Sequence, residues 1–408
     1  MFHPDYINPK KLINNDDILQ LFNLVEKHGG VLRFVGGAVR DAIAGLDRTD
    51  IDMVTDMSPS EFSDMCDDEG LRCVPIGIQF FTIGVIINDS FFKVTSLSTE
   101  EDNGKDEWKS DAAKRDLTIN AVYADEKGNV FDYYNGINDL ENGVIKFIGI
   151  PQETIERDYI RIMRFFRFCA MFGKKIDTKS LKACIENKDL LRKISSEKIK
   201  DELFKILMAP YAVNTLKLIF DNGILDFLIA PPKNLDNLEK LIRLIASLGI
   251  EKNIIRRIFV MFEPDTKRAG RLADIFRLNR EQKEHLLELS KAKLSKNSFK
   301  DSVSINRAVY LYGKDVCRDK WLCLNLDNTN EEKTKDILNT LDSMSIPFFP
   351  LNGKDLIQIG ADQKLIGLYI DALKKDWYEH GCCLSKEELI RKYLSLIHIS
   401  EPTRQAEI

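Results

Sequence analysis

The 408-residue chain has no apolar run approaching the roughly 20 residues that a membrane-spanning helix needs. Histidine is scarce at five residues, and the eight cysteines (66, 73, 169, 184, 317, 323, 382 and 383) include no C-x-x-C pair. Zinc and a disulfide framework are therefore not expected, and the thiols should be reduced and mostly buried. The opening MFHPDYINPKK lacks the apolar core of a signal peptide, which points to an intracellular, cytoplasmic protein. No fixed-period repeat runs through the chain. What remains is a globular composition, 44% hydrophobic and 30% charged, long enough for two to four domains or subdomains.

The net charge of −5 conceals an asymmetry. Residues 1–173 carry 18 Lys+Arg against 30 Asp+Glu, a net −12, whereas residues 174–394 carry 40 against 32, a net +8. An acidic front half suits a metal site, and a basic back half suits a polyanion such as nucleic acid. The alternative is charge scattered over a solvated surface.

One stretch organises the rest, VLRFVGGAVRDAIAGLDRTDIDMVTD from Val31 to Asp56. It reads as a short strand, a break at Gly36-Gly37, a helix over 38–44 ended by Gly45, and a second strand bearing Asp50 and Asp52. Strand alternation puts both aspartates on one face and turns Ile51 and Met53 to the core. Like charges on one strand face repel, so folding gives no reason for the pair. A divalent cation would, and paired hard oxygens beside a glycine turn suit Mg²⁺ and a bound triphosphate. A solvated strand face beside an ordinary turn is the other reading. Arg40 on the next helical turn can supply a cation for the triphosphate, or can pair with Asp41 or Asp47.

Further along, the pattern predicts helices over 11–29 and 58–69 and strands around 71–75, 79–87 and 91–97. A charged mobile loop is expected over 98–110, and a hairpin over 125–129. From Glu153 the periodicity turns helical and stays so, beginning with a helix over 153–173. Within it, Asp158 and Arg161 stand three apart, as neighbours on one face, and Arg164 and Arg167 continue at the same step. The residues between them are apolar almost all round, so the helix should be largely buried and its arginines need partners; a nucleotide cleft would provide them. A paired carboxylate and guanidinium can also serve as a template for a base. Asp158 would accept from the exocyclic amino group of C or A, while Arg161 donates to the neighbouring ring nitrogen or carbonyl. A plain ion pair on a helix is the alternative.

These stretches together resemble the class II tRNA nucleotidyltransferase (CCA-adding) and bacterial poly(A) polymerase family. The first motif is GGAVRD with DID, Asp50 standing ten residues after Arg40. It is followed in order by KRDLTINA (114–121), DYYNGINDLENGVIKFIG (132–149), DYIRIMRFFRF (158–168) and SSEKIKDELFKIL (195–207), and FPLNGKDLIQIG (349–360) is similar to a C-terminal segment of bacterial members. The resemblance implies an α+β fold: a nucleotidyltransferase head over 1–150 with a mixed sheet, a helical neck over 151–210 carrying the nucleotide-selecting helix, and an all-α, RNA-binding body and tail over 211–394. It implies catalytic and metal-binding roles for Asp50 and Asp52. Nucleotide binding falls to Gly36, Gly37, Arg40, Arg115, Asp116, Asp158, Arg161, Arg164 and Arg167, with Asn120 a weaker candidate. The implied cofactor is Mg²⁺, and the implied partners are tRNA, CTP and ATP. The 195–207 helix reads as neck packing.

Departures from the family pattern are local. Lys93 stands where a glutamate is usual, IGIQFFT (76–82) replaces T-G-x-x-H-G-T, the acidic stretch 99–107 replaces an arginine-bearing loop, and Arg157 precedes Asp158 where an acid is usual. The expected activity is addition of CCA to tRNA 3′ ends. The alternatives are CC-adding, A-adding or poly(A) polymerase activity, a catalytically impaired RNA-binding member, and a nucleotide-binding regulator with no RNA partner; the +8 body disfavours the last. Ser395 to Ile408 has no helix cap or periodicity, and its first ten residues look like a translated sequencing adapter, so 395–408 is set aside as a non-native tail.

Overall fold

The computed structural model describes residues 6–13, 15–46, 51–77, 81–97, 106–233, 235–327 and 330–400, with side chains to 394. The chain forms two compact units, 1–230 and 231–408.

The first unit begins with α1 (Asp16–Lys27), β1 (Leu32–Val35), α2 (Gly37–Ala44), β2 (Asp52–Thr55), α3 (Pro59–Asp68), β3 (Arg72–Gly77), β4 (Thr82–Ile87) and β5 (Ser90–Ser96). It continues with α4 (Glu107–Lys114), β6 (Val122–Ala124), β7 (Val130–Asp132), α5 (Gly136–Asn142) and β8 (Val144–Ile145). Then come α6 (Pro151–Arg157), α7 (Arg161–Phe172), β9 (Lys175–Ile176), α8 (Thr178–Glu186), α9 (Ser196–Met208) and α10 (Ala212–Asp221). Local chemistry accounts for many boundaries. Ser58 and Glu61 close a capping box around Pro59 at the start of α3, and Gly45, in the left-handed conformation at φ 71°, ends α2.

Seven strands form one mixed sheet in the order β3-β4-β5-β2-β1-β6-β7. β2 pairs antiparallel with β1 and parallel with β5, placing Asp52 beside Val35 on one side and Lys93 on the other. One face is fully covered: Phe34, Met53, Val85, Phe92, Val94 and Val122 pack with α1, α2 and α3 into a single core. The opposite face is covered around β1, β2 and β6 by a smaller cluster of Val35, Val54, Leu97, Ala112, Tyr123 and Ile148.

Three differences from the sequence reading have local causes. The helix expected over 153–173 is two helices. Asp158 is extended (φ −159°) and its carboxylate accepts from the Ile160 N–H at 3.3 Å, a side-chain turn that competes with helix propagation. Asp158 and Arg161 are therefore not neighbours on one helical face; the carboxylate precedes the first turn of α7. The loop expected over 98–110 gives way at its end to α4, whose N-cap Asp106 accepts from the Lys109 N–H at 3.2 Å; residues 98–105 lie outside the described set. Cys66 and Cys73 were expected as separate thiols, yet the turn at Gly70 folds β3 back on α3 and brings their sulfurs to 2.50 Å. The other six cysteines are free, as expected.

The second unit is helical: α11 (Leu235–Ser247), α12 (Ile254–Phe262), α13 (Thr266–Ile275), α14 (Arg280–Lys291), α15 (Ser302–Tyr312), α16 (Lys314–Leu324), α17 (Glu331–Ser343), α18 (Gly353–Gln358), α19 (Ile366–Glu379) and α20 (Lys386–Ser400). One core gathers around Phe299, Trp321 and Leu322, another around Trp377, Leu389 and Tyr393. The backbone of α20 continues through 395–400, so the segment set aside as a tail begins inside a helix. No described helix is long and apolar enough to cross a membrane.

Gly136, at the first turn of α5, sits against the short 3-10 turn Thr118–Asn120: a Cβ there would lie 2.1 Å from the Thr118 carbonyl oxygen. Backbone must move to admit it, so Gly136→Ala should cost about 1–3 kcal/mol, read as a lower urea midpoint at unchanged slope. A midpoint equal to that of the parent chain would show that α5 and the turn part without cost.

Candidate active site

The site is assembled from four stretches that meet beside the N-terminal end of β2. The first is the turn after β1. Gly36 adopts φ 67°, a conformation a side chain would strain, and delivers the chain into α2, with Gly36 and Gly37 both lining the cavity. Arg40 on that helix is buried, 7% exposed, and its guanidinium is held by Asp41 (2.9 and 2.7 Å) and by the Asn120 carboxamide oxygen (2.6 Å). Both readings of Arg40 from the sequence thus meet in one geometry: it pairs with Asp41 and lines the cavity. Burial pulls its pKa down, with Asp41 opposing. Asp52, the second stretch, opens β2 with an exposed side chain.

The third stretch is the end of α4 and the turn that follows. Asp111 accepts from Arg115 Nε at 2.9 Å and from the Tyr123 hydroxyl at 2.5 Å. Asp116, 5% exposed, accepts from the Leu117 N–H (2.8 Å), Asn120 Nδ2 (3.0 Å) and Arg164 Nε (2.6 Å). Burial alone would raise its pKa, but Arg164 and these donors outweigh burial and hold the carboxyl below the usual range.

The fourth stretch is the junction into α7. Asp158 is exposed at the junction, while Arg161 donates to the carbonyls of Thr154 (3.2 Å) and Lys114 (2.9 Å). Arg157 donates to the Ala113 carbonyl at 3.2 Å, so two arginines sit at the negative end of α4. Arg167 pairs with Glu202 of α9 at 3.2 Å, and burial lowers the pKa of both Arg161 and Arg167.

These groups surround a cavity of about 590 Å³, within the range of small-molecule sites. Gly36, Gly37, Arg40, Asp52, Arg115, Asp116, Asp158, Arg161, Arg164 and Arg167 all line it, along with Asn120; Asp50 lies outside the described residues. Asp111, Lys114 and Phe168 also line it without having been singled out from sequence as site residues, and so does Asp41, named there only as a partner for Arg40. Asp111 could have been, because it stands four residues before Arg115 on a helix. Glu202 could not: it lies in a helix whose pattern signals only packing. Among the described residues six cations and five carboxylates share the lining, a donor set for a polyanion accompanied by a hard cation.

Such a lining, cationic with a glycine turn and a rim carboxylate, suits one ligand class, the nucleoside phosphates. Comparison narrows it. Residues 32–146 match the Poly A polymerase head domain family, and residues 173–235 match the family described as probable RNA and SrmB- binding site of polymerase A. The chain is 30% identical to the CCA-adding enzyme of Streptococcus gordonii, over 64% of this chain and 70% of that protein. It is 27% identical to the mouse CCA tRNA nucleotidyltransferase 1, mitochondrial, over 92% of this chain and 89% of the mouse protein. In fold it is similar to the Bacillus stearothermophilus CCA-adding enzyme crystallised with CTP, with a TM-score of 0.72, 20% identity, and coverage of 95% and 98% of the two chains. The chain belongs to the class II CCA-adding enzyme and poly(A) polymerase family.

Because the Asp116 pKa is depressed on folding, its ion contributes stability that is fully present above the unfolded value near ~4 and is lost as pH falls through the lower folded value. Asp116→Asn should therefore cost about 1–2 kcal/mol at neutral pH, the 38% exposure of Arg164 trimming what a fully buried pair would give. The deficit should shrink below about pH 4. Denaturant titrations at several pH values check this; a deficit independent of pH would assign the cost to shape rather than charge.

Proposed function

We propose that the chain is a template-independent RNA nucleotidyltransferase that adds CCA to tRNA 3′ ends, taking CTP and ATP. The observation that carries this reading is the convergence on one cavity of the glycine turn, Asp52, the 115–116 pair and the 158–167 arginines, four stretches separated by up to 131 residues from Gly36 to Arg167. The reaction is attack of a primer 3′-hydroxyl on the α-phosphate of the incoming nucleotide, with pyrophosphate leaving.

Gly36 and Gly37 let the backbone approach the phosphates, and Arg40, held by Asp41 and Asn120, presents fixed positive charge rather than a searching side chain. Asp52 at the rim offers hard oxygens, which fit Mg²⁺; together with Asp50 it would hold the ions, and bound Mg²⁺ would activate the attacking oxygen and neutralise charge on the leaving group. Asp158, exposed at the junction before α7, is free to accept from the amino group of C or A. The two carbonyls that hold Arg161 leave further N–H groups on both of its terminal nitrogens for the same base. Uracil and guanine would present a carbonyl to the carboxylate and be rejected. The finer division into head (1–150), neck (151–210) and RNA-binding body and tail (211–394) belongs to this reading. So does a cytoplasmic location, against which the mitochondrial naming of the mouse relative marks the other compartment.

A second reading, an RNA-binding member with impaired catalysis, is favoured by one observation: Lys93 is in register with Asp52 on the adjacent parallel strand, so a lysine is the strand neighbour, on the same face, of the carboxylate proposed to hold metal.

Incubation with tRNA ending at the discriminator base, and sequencing of its 3′ ends, separates these. CTP with ATP should give CCA, CTP alone CC, and UTP nothing. EDTA should abolish extension and Mg²⁺ restore it, and Asp52→Ala should slow it at least about a hundredfold. Bound but unextended tRNA would establish the second reading. Asp158→Ala should cut the preference for CTP over UTP about tenfold or more, the worth of one charged hydrogen bond, while RNA affinity stays near that of the parent. Undiminished preference would remove Asp158 as the template.

A further inference from the structure

β2 divides the sheet face that carries Asp52. On the β1 side lies the cavity lined by Gly36, Arg40 and Asp116. On the β5 side, across β5, β4 and β3, the same face is left open by the described residues. Alternation and register put Lys93 and Phe91 of β5, Gly84 of β4, and Arg72 and Val74 of β3 on it, and Ile76, in the bulge of β3, reaches over Gly84 on the same face. Three of these are apolar side chains left in solvent: Phe91 at 53%, Ile76 at 48% and Val74 at 40% exposed. Gly84 explains how the aromatic lies. A Cβ there would fall 2.7 Å from Phe91 Cε2 and 2.9 Å from Ile76 Cδ1, so the ring and the isoleucine lie down over the glycine instead of standing off the sheet. A ring flat on a strand presents an aromatic face, and the charged residues around it on these three strands, Lys93 and Arg72, are both cationic.

Transfer in line needs the attacking hydroxyl and the departing pyrophosphate on opposite sides of the α-phosphorus. With the nucleotide in the cavity on one side of Asp52, the primer must reach Asp52 from the other, which is the β5 side. We propose that the open β5–β4–β3 face is the docking surface for the 3′-terminal nucleotides of the RNA primer, with a base stacked on Phe91 and Lys93 at the adjoining phosphate. This rests on the nucleotidyltransferase reading above. Two strand spacings put Gly84, and the ring above it, about 10 Å from Asp52, one to two nucleotides back from a hydroxyl at the carboxylate. The surface continues from the Asp52 rim and complements a backbone of phosphates. Lys93 thereby acquires a role as a primer contact beside the carboxylate. Phe91 and Lys93 hold the primer and take no part in the transfer itself.

The full chain is tested in two ways. In steady state, Phe91→Ala should raise KM for the tRNA primer about tenfold, as loss of one stacking contact does, with KM for CTP within about twofold, and Phe91→Tyr should restore the parent value. Lys93→Ala should raise the primer KM and reduce its dependence on salt. Independently of turnover, a primer bearing 5-iodocytidine as its 3′-terminal or penultimate nucleotide should photocrosslink to Phe91, mapped by mass spectrometry. If the parent chain crosslinks at Phe91 but adds no nucleotide, the catalytic reading fails and the docking surface stands. An active parent whose Phe91→Ala variant keeps the primer KM, or crosslinks that fall only elsewhere, would overturn the docking surface. So would a concentration-dependent dimer in sedimentation that Phe91→Ala dissolves, since the face would then belong to a second copy.

Discussion

A buried, ionised carboxylate joins the parts of the site. Asp116 accepts from Arg164 on α7 and from Asn120, whose own oxygen takes the Arg40 guanidinium on α2. One chain of hydrogen bonds thus ties the helix after the glycine turn, the 116–120 turn and the helix of arginines. Each member is buried or half-buried, where an unmet charge is costly, so the three elements hold their positions together or lose them together. Phe168 and Phe172 of α7 lie against the Arg40 guanidinium, 4.7 and 5.5 Å from ring centroid to carbon, and extend the same tie into apolar packing.

The consequence is a cavity whose cations are already oriented. Arg115 is fixed by Asp111, Arg161 by two carbonyls, Arg164 by Asp116 and Arg167 by Glu202. A triphosphate entering such a site meets positive charge that needs little reorganisation, which is where electrostatic stabilisation is strongest. Strand order then sets where the two proposed substrate surfaces lie. β2, with Asp52 at its head, lies between β1 and β5, so the cavity proposed for the nucleotide and the aromatic face proposed for the primer lie on opposite sides of the same carboxylate.

Much of this was legible before any fold was seen. Strand, glycine break, helix and strand over 31–56 follow from alternation and from Gly36 and Gly45, and the structure has β1, α2 and β2 there. The arginines at 161, 164 and 167 were legible because an apolar helix that carries charge must partner it. What local pattern misjudged was continuity: Asp158 looked like one more turn of helix, and only its own side chain, bonding the Ile160 N–H, ended α6. The Cys66–Cys73 contact was equally hidden, since nothing in a seven-residue spacing shows a strand turning back over a helix.

The amino-acid sequence by itself determined the fold class, the family and most of the described residues that line the cavity, because periodicity, caps and glycine turns act over a few residues. Tertiary structure alone decided who partners whom: Asp116 with Arg164 across 48 positions, Glu202 with Arg167 across 35, and Lys93 in register with Asp52. Those pairings depend on strand order and helix packing, which arise when the whole chain buries its apolar surface, and no local spacing encodes them.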